Sequence, residues 1–391
     1  MRRFNTARMS LAGALLMMVA PASATTIYRV TDLGALSGGE SHGAAINNAG
    51  QTVGSSLVLG GASRAFLQSG GLPVDLGAPL GGIESRADGL NNTGLIAGTT
   101  YTGTGARATL WTLGVASDLG TLGGSDAWAL SVNDAGQVVG GAATAAGRLH
   151  AFLSSNGTMA DIGALPGGTW SSAYGINASG TIAGTSETAA GSLHAFVWSD
   201  GRGLADLGTL GGRYSYGAAL NAAGQVVGHA QVGSGYFHAF IWDPKTGMRD
   251  LGTLGGMSSF AYSINDSGCI VGTSWVNGSE DTHAFLYQGG VMLDLNNLLD
   301  NPAGWLLTDA AGLNASGQIV GTGLRNGVVR AFRLDPIAED NPALPSCQDA
   351  LPVVPNPEPS TWLMLIAGMS VLGGYRSYKK RYPAVAGPSR R

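Results

Sequence analysis

The amino-acid sequence predicts an all-β protein, a seven-bladed β-propeller in which each blade is a sheet of four short strands. Three observations support this fold class. A unit of about 42 to 45 residues recurs seven times along the chain. Each unit contains four short apolar runs separated by glycine-rich turns. The chain also begins and ends in the middle of a unit, as expected when its two ends share one blade.

Three sequence elements define the unit. The first begins with Asp-Leu-Gly and occurs in its full form, DLGTLGG, three times. An Asn-x-x-Gly element follows, and then a His-Ala-Phe element in which arginine replaces histidine in three units. The aspartates are Asp32, Asp75, Asp118, Asp161, Asp206, Asp250 and Asp294; the asparagines are Asn47, Asn91, Asn133, Asn177, Asn221, Asn265 and Asn314; the basic residues are Arg64, Arg107, His150, His194, His238, His283 and Arg330.

The sixth unit shows the four predicted strands most clearly. Residues 258–264 alternate in character, and residues 265–268 form a turn because Asn bonds its own backbone and Gly accepts positive φ. Residues 269–273 return as the second strand. Residues 283–287 and 292–295 give the third and fourth strands. Four strands in a unit of this length are typical of a propeller blade.

The ends of the repeat region predict how the ring closes. Residues 27–33 have the pattern of a fourth strand, and the last unit stops after a third strand near residue 334. We therefore expect residues 305–334 and 27–33 to form one blade, which removes exposed sheet edges. A β-solenoid is the alternative fold.

Composition and charge limit the function classes. The 391 residues include 64 glycines, and only 12% are charged. Residues 25–357 contain 12 basic and 24 acidic residues. Such an acidic surface repels the phosphates of nucleic acids, so a nucleic-acid partner is not expected. We also expect the protein to be a monomer. Cys269 and Cys347 have no metal-ligand spacing; we expect two thiols, with a disulfide as the alternative in an oxidising compartment.

The N-terminus has the pattern of a secretory signal peptide, residues 1–24. Three arginines precede an apolar run at residues 11–20, which is too short to span a membrane. Ala22 and Ala24 give the small-x-small pattern, so cleavage is expected between Ala24 and Thr25. The propeller is expected at residues 25–335, followed by a proline-rich linker at residues 336–356.

The C-terminus has an ordered three-part pattern. Its sorting motif is Pro357, Glu358, Pro359, Ser360, Thr361 and Trp362; an uncharged run follows, and then the basic residues Arg376, Lys379, Lys380 and Arg381. Residues 357–381 closely resemble the PEP-CTERM sorting signal of Gram-negative bacteria. The resemblance implies processing by an exosortase after transient anchoring in the inner membrane, a cell-surface or extracellular-matrix location, and an association with exopolysaccharide and biofilm. The basic tail at residues 382–391 departs from that pattern.

The repeat itself also resembles a known family. The His-Ala-Phe elements at His150, His194, His238 and His283 are similar to those of extracellular HAF-repeat proteins. The resemblance covers most of residues 32–332 and implies secretion. It implies no activity.

No residue pattern in the repeat predicts catalysis. Arginine replaces the repeated histidine in three units, so we interpret this residue as a strand residue that bonds its neighbour, with the following Phe in the core. The repeated aspartates are expected to accept hydrogen bonds from turn N–H groups. No cofactor or resident metal is expected, with calcium at the aspartate turns as the alternative.

The leading functional hypothesis is a non-catalytic protein that binds exopolysaccharide or another surface partner. Loops between second and third strands vary most and are expected to share one face with the Gly-Gly loops. Aromatic side chains on this face could either stack on sugar rings or pack within the blades. A further aromatic candidate, Trp305, lies in an irregular insertion at residues 296–309. The candidates are Tyr101, Trp170, Tyr214, Tyr236, Trp275 and Trp305. The alternative is a polysaccharide hydrolase or lyase that uses Asp300 or Asp309.

Overall fold

The computed structural model describes residues 27–37, 39–279 and 281–337. The described chain forms seven antiparallel sheets of four strands each. β1 (Ile27–Asp32) comes first. Blade 1 contains β2 (Ser41–Ile46), β3 (Thr52–Leu57), β4 (Ser63–Gln68) and β5 (Val74–Asp75); blade 2 contains β6 (Glu84–Leu90), β7 (Ile96–Thr102), β8 (Gly105–Thr112) and β9 (Val115–Asp118). Blade 3 contains β10 (Gly123–Val132), β11 (Val138–Thr144), β12 (Leu149–Ser155) and β13 (Thr158–Gly163).

The remaining blades follow the same order, from the innermost strand outwards. Blade 4 contains β14 (Ser171–Ile176), β15 (Ile182–Glu187), β16 (Leu193–Ser199) and β17 (Gly203–Asp206); blade 5 contains β18 (Gly211–Leu220), β19 (Val226–Val232), β20 (Phe237–Asp243) and β21 (Gly247–Asp250). Blade 6 contains β22 (Gly255–Ile264), β23 (Ile270–Val276), β24 (Thr282–Gln288) and β25 (Val291–Asp294). A short 3-10 helix (Leu295–Leu298) leads to blade 7, which contains β26 (Trp305–Leu313), β27 (Ile319–Arg325) and β28 (Val328–Ile337).

The two ends of the described chain close the ring. β1 pairs antiparallel with β28, from Ile27 opposite Ile337 to Asp32 opposite Phe332, and so becomes the fourth strand of blade 7. This confirms the seven-bladed propeller with shared ends and is incompatible with the β-solenoid alternative. The core lies between neighbouring blades, where Ala and Phe of the His-Ala-Phe element are fully buried in most units.

The histidines and aspartates of the repeat bond each other within a blade. The His Nδ1 atoms lie 2.7–2.9 Å from the Oδ2 atoms of the paired aspartates. All seven repeat aspartates also accept a hydrogen bond from the backbone N–H two residues further on, at 2.7–2.9 Å. Both expectations for these residues are therefore confirmed: the side chains join strands and turns. The pairs are His150–Asp161, His194–Asp206, His238–Asp250 and His283–Asp294.

A closed belt of hydrogen bonds joins the repeat asparagines around the ring. Each side-chain amide donates to the backbone carbonyl of the corresponding asparagine in the next blade, at 2.8–3.4 Å. All seven asparagines are buried, so each bond satisfies groups that water does not reach. The belt fixes the spacing of the seven hairpins that connect first and second strands.

Serines provide a second joint between blades. In five blades a buried serine near the start of the innermost strand accepts the N–H of Ala in the preceding blade and donates to a turn carbonyl there. Ser171, for example, accepts from Ala151 at 2.8 Å and donates to the carbonyl of Gly163 at 2.5 Å. Blade 3 has the buried Ala127 at this position.

Several expectations concern residues outside this description. The signal-cleavage residues, the sorting motif, its basic cluster and Cys347 all lie outside the described residues. Cys269 is buried and takes part in a disulfide, so the expectation of a thiol at this position is wrong. Within the described part of the chain, no helix has the length and apolar character required to cross a membrane.

Candidate functional site

A β-bulge in every innermost strand aims one side chain at the centre of the ring. The register shifts by one residue around the third residue before the repeat asparagine, and we call this residue the bulge position. With the two residues that follow, it lines a central channel with a cavity of about 210 Å³. The bulge positions hold Ala44, Asp88, Leu130, Tyr174, Ala218, Tyr262 and Ala311.

The residue two places before the bulge position also differs from blade to blade. We call it the mouth position, because it lies nearer the loops that precede each innermost strand. It holds His42, Arg86, Trp128, Ser172, Tyr216, Phe260 and Asp309. The repeat therefore varies strongly beside the channel, although its turns and core are regular. The chain thus departs from its repeat at these positions as well as in the insertion at residues 296–309.

Of the two acidic residues on this part of the innermost strands, Asp88 lines the channel, and Asp309 lies two residues before the lining residue Ala311 on β26. Burial raises the pKa of Asp88 to about 6, although Arg86, with Nε 3.0 Å from Oδ2, lowers it. Burial raises the pKa of Asp309 to about 7 against a hydrogen bond from the N–H of Thr322. Tyr262 lines the cavity, and burial followed by the charge of Asp309 raises its pKa to about 12.

An aromatic cluster joins blades 5 and 6. The rings of Tyr216 and His229 are stacked with centroids 4.7 Å apart, and His229 meets Phe260 edge to face at 4.8 Å. Phe237 packs on both Tyr216 and His229, at 5.9 and 5.6 Å. Phe260 in turn meets Trp275 at 6.4 Å. All five rings are half-buried, so the cluster is packed on one side and partly open on the other.

His229 also departs from the repeat. Corresponding positions after the strand-two glycine hold Ser, Thr or Gly. Burial lowers the pKa of His229 to about 4, and its Nδ1 atom has no hydrogen-bond partner among the described residues. The imidazole is therefore neutral at pH 7 and acts as a flat ring within the cluster.

The predicted loop face exists, and it carries a groove. The segments before the innermost strands lie beside the ends of the second strands, through bridges such as Leu254–Val276. In blade 6 the two loops enclose a groove of about 580 Å³ with mostly apolar walls. Trp275 and the half-exposed Met257 contribute its largest side chains, and we call it the loop-face groove. It is lined by Gly255, Gly256, Met257, Trp275, Val276, Asn277, Gly278 and Ser279.

The structure distributes the predicted aromatic candidates unevenly. Tyr236 is 44% exposed in the loop of blade 5, next to Phe237 of the cluster. Tyr214 is half-buried under the guanidinium of Arg213, which lies 5.6 Å from the ring centroid. Trp170 and Tyr101 are half-buried on the same face, in other blades. Trp305 is 8% exposed and packs on Phe332, so it belongs to the core rather than to a binding surface.

The two candidate carboxylates of residues 296–309 are not brought together. Asp300 donates its N–H to Tyr28 and pairs with Arg29, so it lies outside the outermost strand β1. Asp309 lies on the innermost strand β26. Three strand spacings, roughly 14 Å, separate these two edges of the blade. In the described chain, no three His, Cys, Asp or Glu side chains are placed to hold a metal ion.

Comparisons with known proteins find distant structural likenesses and no relative by sequence. No family pattern and no curated protein matches the sequence. The β-propeller domain of the Trilobed protease from Pyrococcus furiosus has a TM-score of 0.49 at 10% identity, covering 85% of this chain and 99% of its own. YCF48 bound to D1 peptide gives 0.49 at 10% identity, with 83% and 99% covered. TolB from Acinetobacter baumannii gives 0.42 at 12%, covering 74% of this chain but only 64% of TolB.

The fold and site thus define a class, a seven-bladed β-propeller with a loop face and a variable channel mouth. The likenesses to solved structures are too distant to specify a function within this class.

Proposed function

We propose that this protein is an exported, non-catalytic β-propeller that binds polysaccharide at the bacterial cell surface or in the extracellular matrix. The observation that carries the proposal is the loop-face groove, where Trp275 and Met257 offer apolar surface beside the aromatic cluster. Sugar rings have apolar C–H faces, and aromatic side chains with one open side suit their stacking.

The charge of the propeller narrows the ligand class. Residues 25–357 contain twice as many acidic as basic residues. This acidic surface disfavours polysaccharides rich in carboxylate or sulfate, because like charges raise the cost of approach. We therefore expect an uncharged exopolysaccharide, or one with few acidic groups, to bind in the loop-face groove.

Export belongs to the same proposal and rests on the two terminal sequence signals. Cleavage after Ala24 releases the propeller, and an exosortase processes the segment around residues 357–362. The apolar run with its basic end holds the chain transiently in the inner membrane. Deleting residues 357–391 should move the protein from the cell surface to the medium; retention at the surface would contradict this part.

The binding part is tested by calorimetry with the exopolysaccharide of the producing strain. Trp275→Ala and Met257→Ala should each weaken binding by about tenfold, since each removes apolar contact area from the groove. Leu113→Ala is the matched control, because Leu113 is 96% exposed in a hairpin on the opposite face. Thermal melts show whether each variant folds. Equal affinity of all three variants would contradict the groove as the site.

Turnover distinguishes the alternative function. A hydrolase or lyase would release reducing ends from the same polysaccharide, and the non-catalytic protein would not. Release that disappears in Asp309→Asn would replace the proposal with an enzymatic one.

A further inference from the structure

We propose that the aromatic cluster of blades 5 and 6 extends the loop-face groove into one continuous site, which binds several linked sugar rings of an uncharged polysaccharide rather than a single sugar. The inference rests on the proposed function, because it deepens the binding of polysaccharide in that groove. It assigns a binding role to rings that the groove itself does not include, and it specifies the length of chain that the protein recognises.

The aromatic cluster is continuous with the groove through one side chain. Trp275 lines the groove, and its ring meets that of Phe260 edge to face with centroids 6.4 Å apart. The ring of His229 follows, 4.8 Å from Phe260 and 4.7 Å from Tyr216. Each of these distances is within the range at which aromatic rings are in contact. The rings therefore form an unbroken series from the loops of blade 6 to Tyr216 in blade 5.

The cluster extends from the loops towards the centre of the ring. Trp275 is near the end of the second strand β23, whereas Phe260 and Tyr216 occupy mouth positions on the innermost strands β22 and β18. Tyr262 and Ala218, two residues further along these two strands, line the central channel. The groove and the cluster together therefore reach across the joint between blades 5 and 6 to the mouth of the channel.

The closure of the ring does not require aromatic side chains at this place. Of the seven contacts between aromatic rings in the described chain, six belong to the cluster, and the seventh joins Trp305 and Phe332 within blade 7. At the joint between blades 6 and 7, Thr273 has the position that His229 has in blade 5. Its hydroxyl donates to the carbonyl of Thr308 at 2.7 Å. A small polar residue is thus sufficient to join two blades, and the cluster is an addition to the repeat.

The cluster leaves apolar surface in contact with water. Its five rings are half-buried, whereas the repeat phenylalanines of the same blades, Phe240 and Phe285, are fully buried. Covering such surface with the apolar faces of a ligand is favourable. A sugar ring and an aromatic ring are similar in size, so the series Trp275, Phe260 and Tyr216 accommodates roughly three linked sugars at the spacing of packed rings.

The charge and polarity of the site suit an uncharged chain. Burial lowers the pKa of His229 to about 4, so the imidazole is neutral at pH 7 and the cluster carries no charge. An ionised group placed on these rings would lose water without gaining a partner, which is costly. Asn277 and Ser279 line the groove and offer donors and acceptors to sugar hydroxyls. The site therefore combines an apolar surface with a polar edge, as carbohydrate ligands require.

The test is calorimetric titration of the mature protein with a disaccharide and a hexasaccharide, both prepared by partial hydrolysis of the exopolysaccharide of the producing strain. The hexasaccharide should bind at least tenfold more tightly, because only the longer chain covers both the groove and the cluster. Phe260→Ala and Tyr216→Ala should each weaken binding of the hexasaccharide by about tenfold and leave that of the disaccharide unchanged. Trp275→Ala should weaken the binding of both.

Two variants serve as controls for the cluster. Trp128→Ala removes a half-buried aromatic side chain from the mouth position of blade 3, away from the cluster, and should bind both sugars like the unchanged protein. Tyr216→Phe keeps the ring and should also retain full affinity. Circular dichroism and thermal melts establish that each variant is folded.

The outcomes separate this inference from the proposed function. Equal affinity for the two oligosaccharides would overturn the extended site, and so would unchanged binding of the hexasaccharide by folded Phe260→Ala and Tyr216→Ala variants. If Trp275→Ala still weakened binding in that case, the groove would remain the site without its extension. Failure of both oligosaccharides to bind the unchanged protein would overturn the inference and the proposed function together.

Discussion

The side-chain amide of Asn314 donates to the backbone carbonyl of Asn47 at 2.9 Å, and this bond joins the last repeat to the first. It is the seventh member of a belt in which every repeat asparagine bonds the next. The same side chain holds its own hairpin, because its Oδ1 accepts the N–H groups of Ser316 and Gln318. One residue type thus shapes a turn and spaces the blades, which explains its presence in all seven units.

Replacing this asparagine should weaken the closure of the ring. Asn314→Ala removes the donor to Asn47 and the acceptor of the Ser316 and Gln318 N–H groups, so the free energy of unfolding should fall by roughly 1–3 kcal/mol. Asn277→Ala is the control, since Asn277 is exposed in the loop that follows β23. Urea unfolding followed by circular dichroism measures both. A loss in Asn314→Ala no larger than in the control would contradict the role of the belt.

Substitutions at two equivalent positions of the serine joint should change the free energy of unfolding in opposite directions. Ser171→Ala should lower the free energy of unfolding by roughly 1–3 kcal/mol, because the N–H of Ala151 and the carbonyl of Gly163 lose their shared partner. Ala127→Ser places a hydroxyl at the same position of blade 3, where it can form the missing joint. This variant should gain roughly 0.5–1.5 kcal/mol. If both substitutions destabilise the protein, the joint is specific to the blades that already have it.

The half-buried carboxyl of Asp309 predicts a stability that falls with rising pH. The pKa of Asp309 is raised to about 7 in the folded state, so the folded chain holds a proton between about pH 4 and pH 7 that the unfolded chain has lost. Its contribution is therefore lost as the pH rises through this range. Asp309→Asn removes the effect and should gain stability relative to the unchanged protein between pH 4 and pH 8, on the order of 2 kcal/mol.

The titration of His229 changes stability with pH in the opposite direction. For this reason the prediction compares the Asp309→Asn variant with the unchanged protein, because both contain His229. Its pKa is lowered to about 4, so the unfolded chain binds the extra proton between about pH 4 and pH 6.5 and stability rises with pH there. Chemical unfolding at several pH values gives the difference between the two proteins directly. A difference that stays constant from pH 4 to pH 8 would show that Asp309 titrates like an exposed carboxyl.

The sequence was sufficient to predict the ring because the same pattern of four strands recurs in seven units, so each unit supports the interpretation of the others. The pattern of four runs placed the sixth blade within a few residues of β22, β23, β24 and β25, and the split unit at the two ends predicted the pairing of β1 with β28. The roles of Asp161 and His150 followed because equivalent residues in other blades limit what such a position can do.

The candidate site was harder to predict for a physical reason. In a regular strand alternate residues share a face, and a bulge reverses that alternation. Because of the bulges, Asp88 and Tyr262 face the channel, although simple alternation along their strands does not place them there. An alignment of the seven repeats does show which positions vary most. Asp309 and Phe260 occupy a position at which all seven units have different residues. The packing of Trp305 against Phe332 and the location of Asp300 beside β1 depend on long-range contacts that the local sequence pattern does not contain.

The bulge also explains why the second strand of each blade carries a glycine. A Cβ atom on Gly140 would overlap the carbonyl oxygen of Trp128, which the bulged strand brings unusually close. Because that atom belongs to the backbone, the neighbour cannot move aside without breaking the sheet. Gly140→Ala should therefore cost several kcal/mol, roughly 3 or more, in the free energy of unfolding. Gly103→Ala is the control, since a Cβ there meets no atom within 4 Å. Thermal unfolding of the two variants tests this prediction. A large drop in melting temperature in Gly140→Ala alone would show that the bulge requires glycine. Similar melting temperatures in both variants would mean that the strand relaxes around the new methyl group.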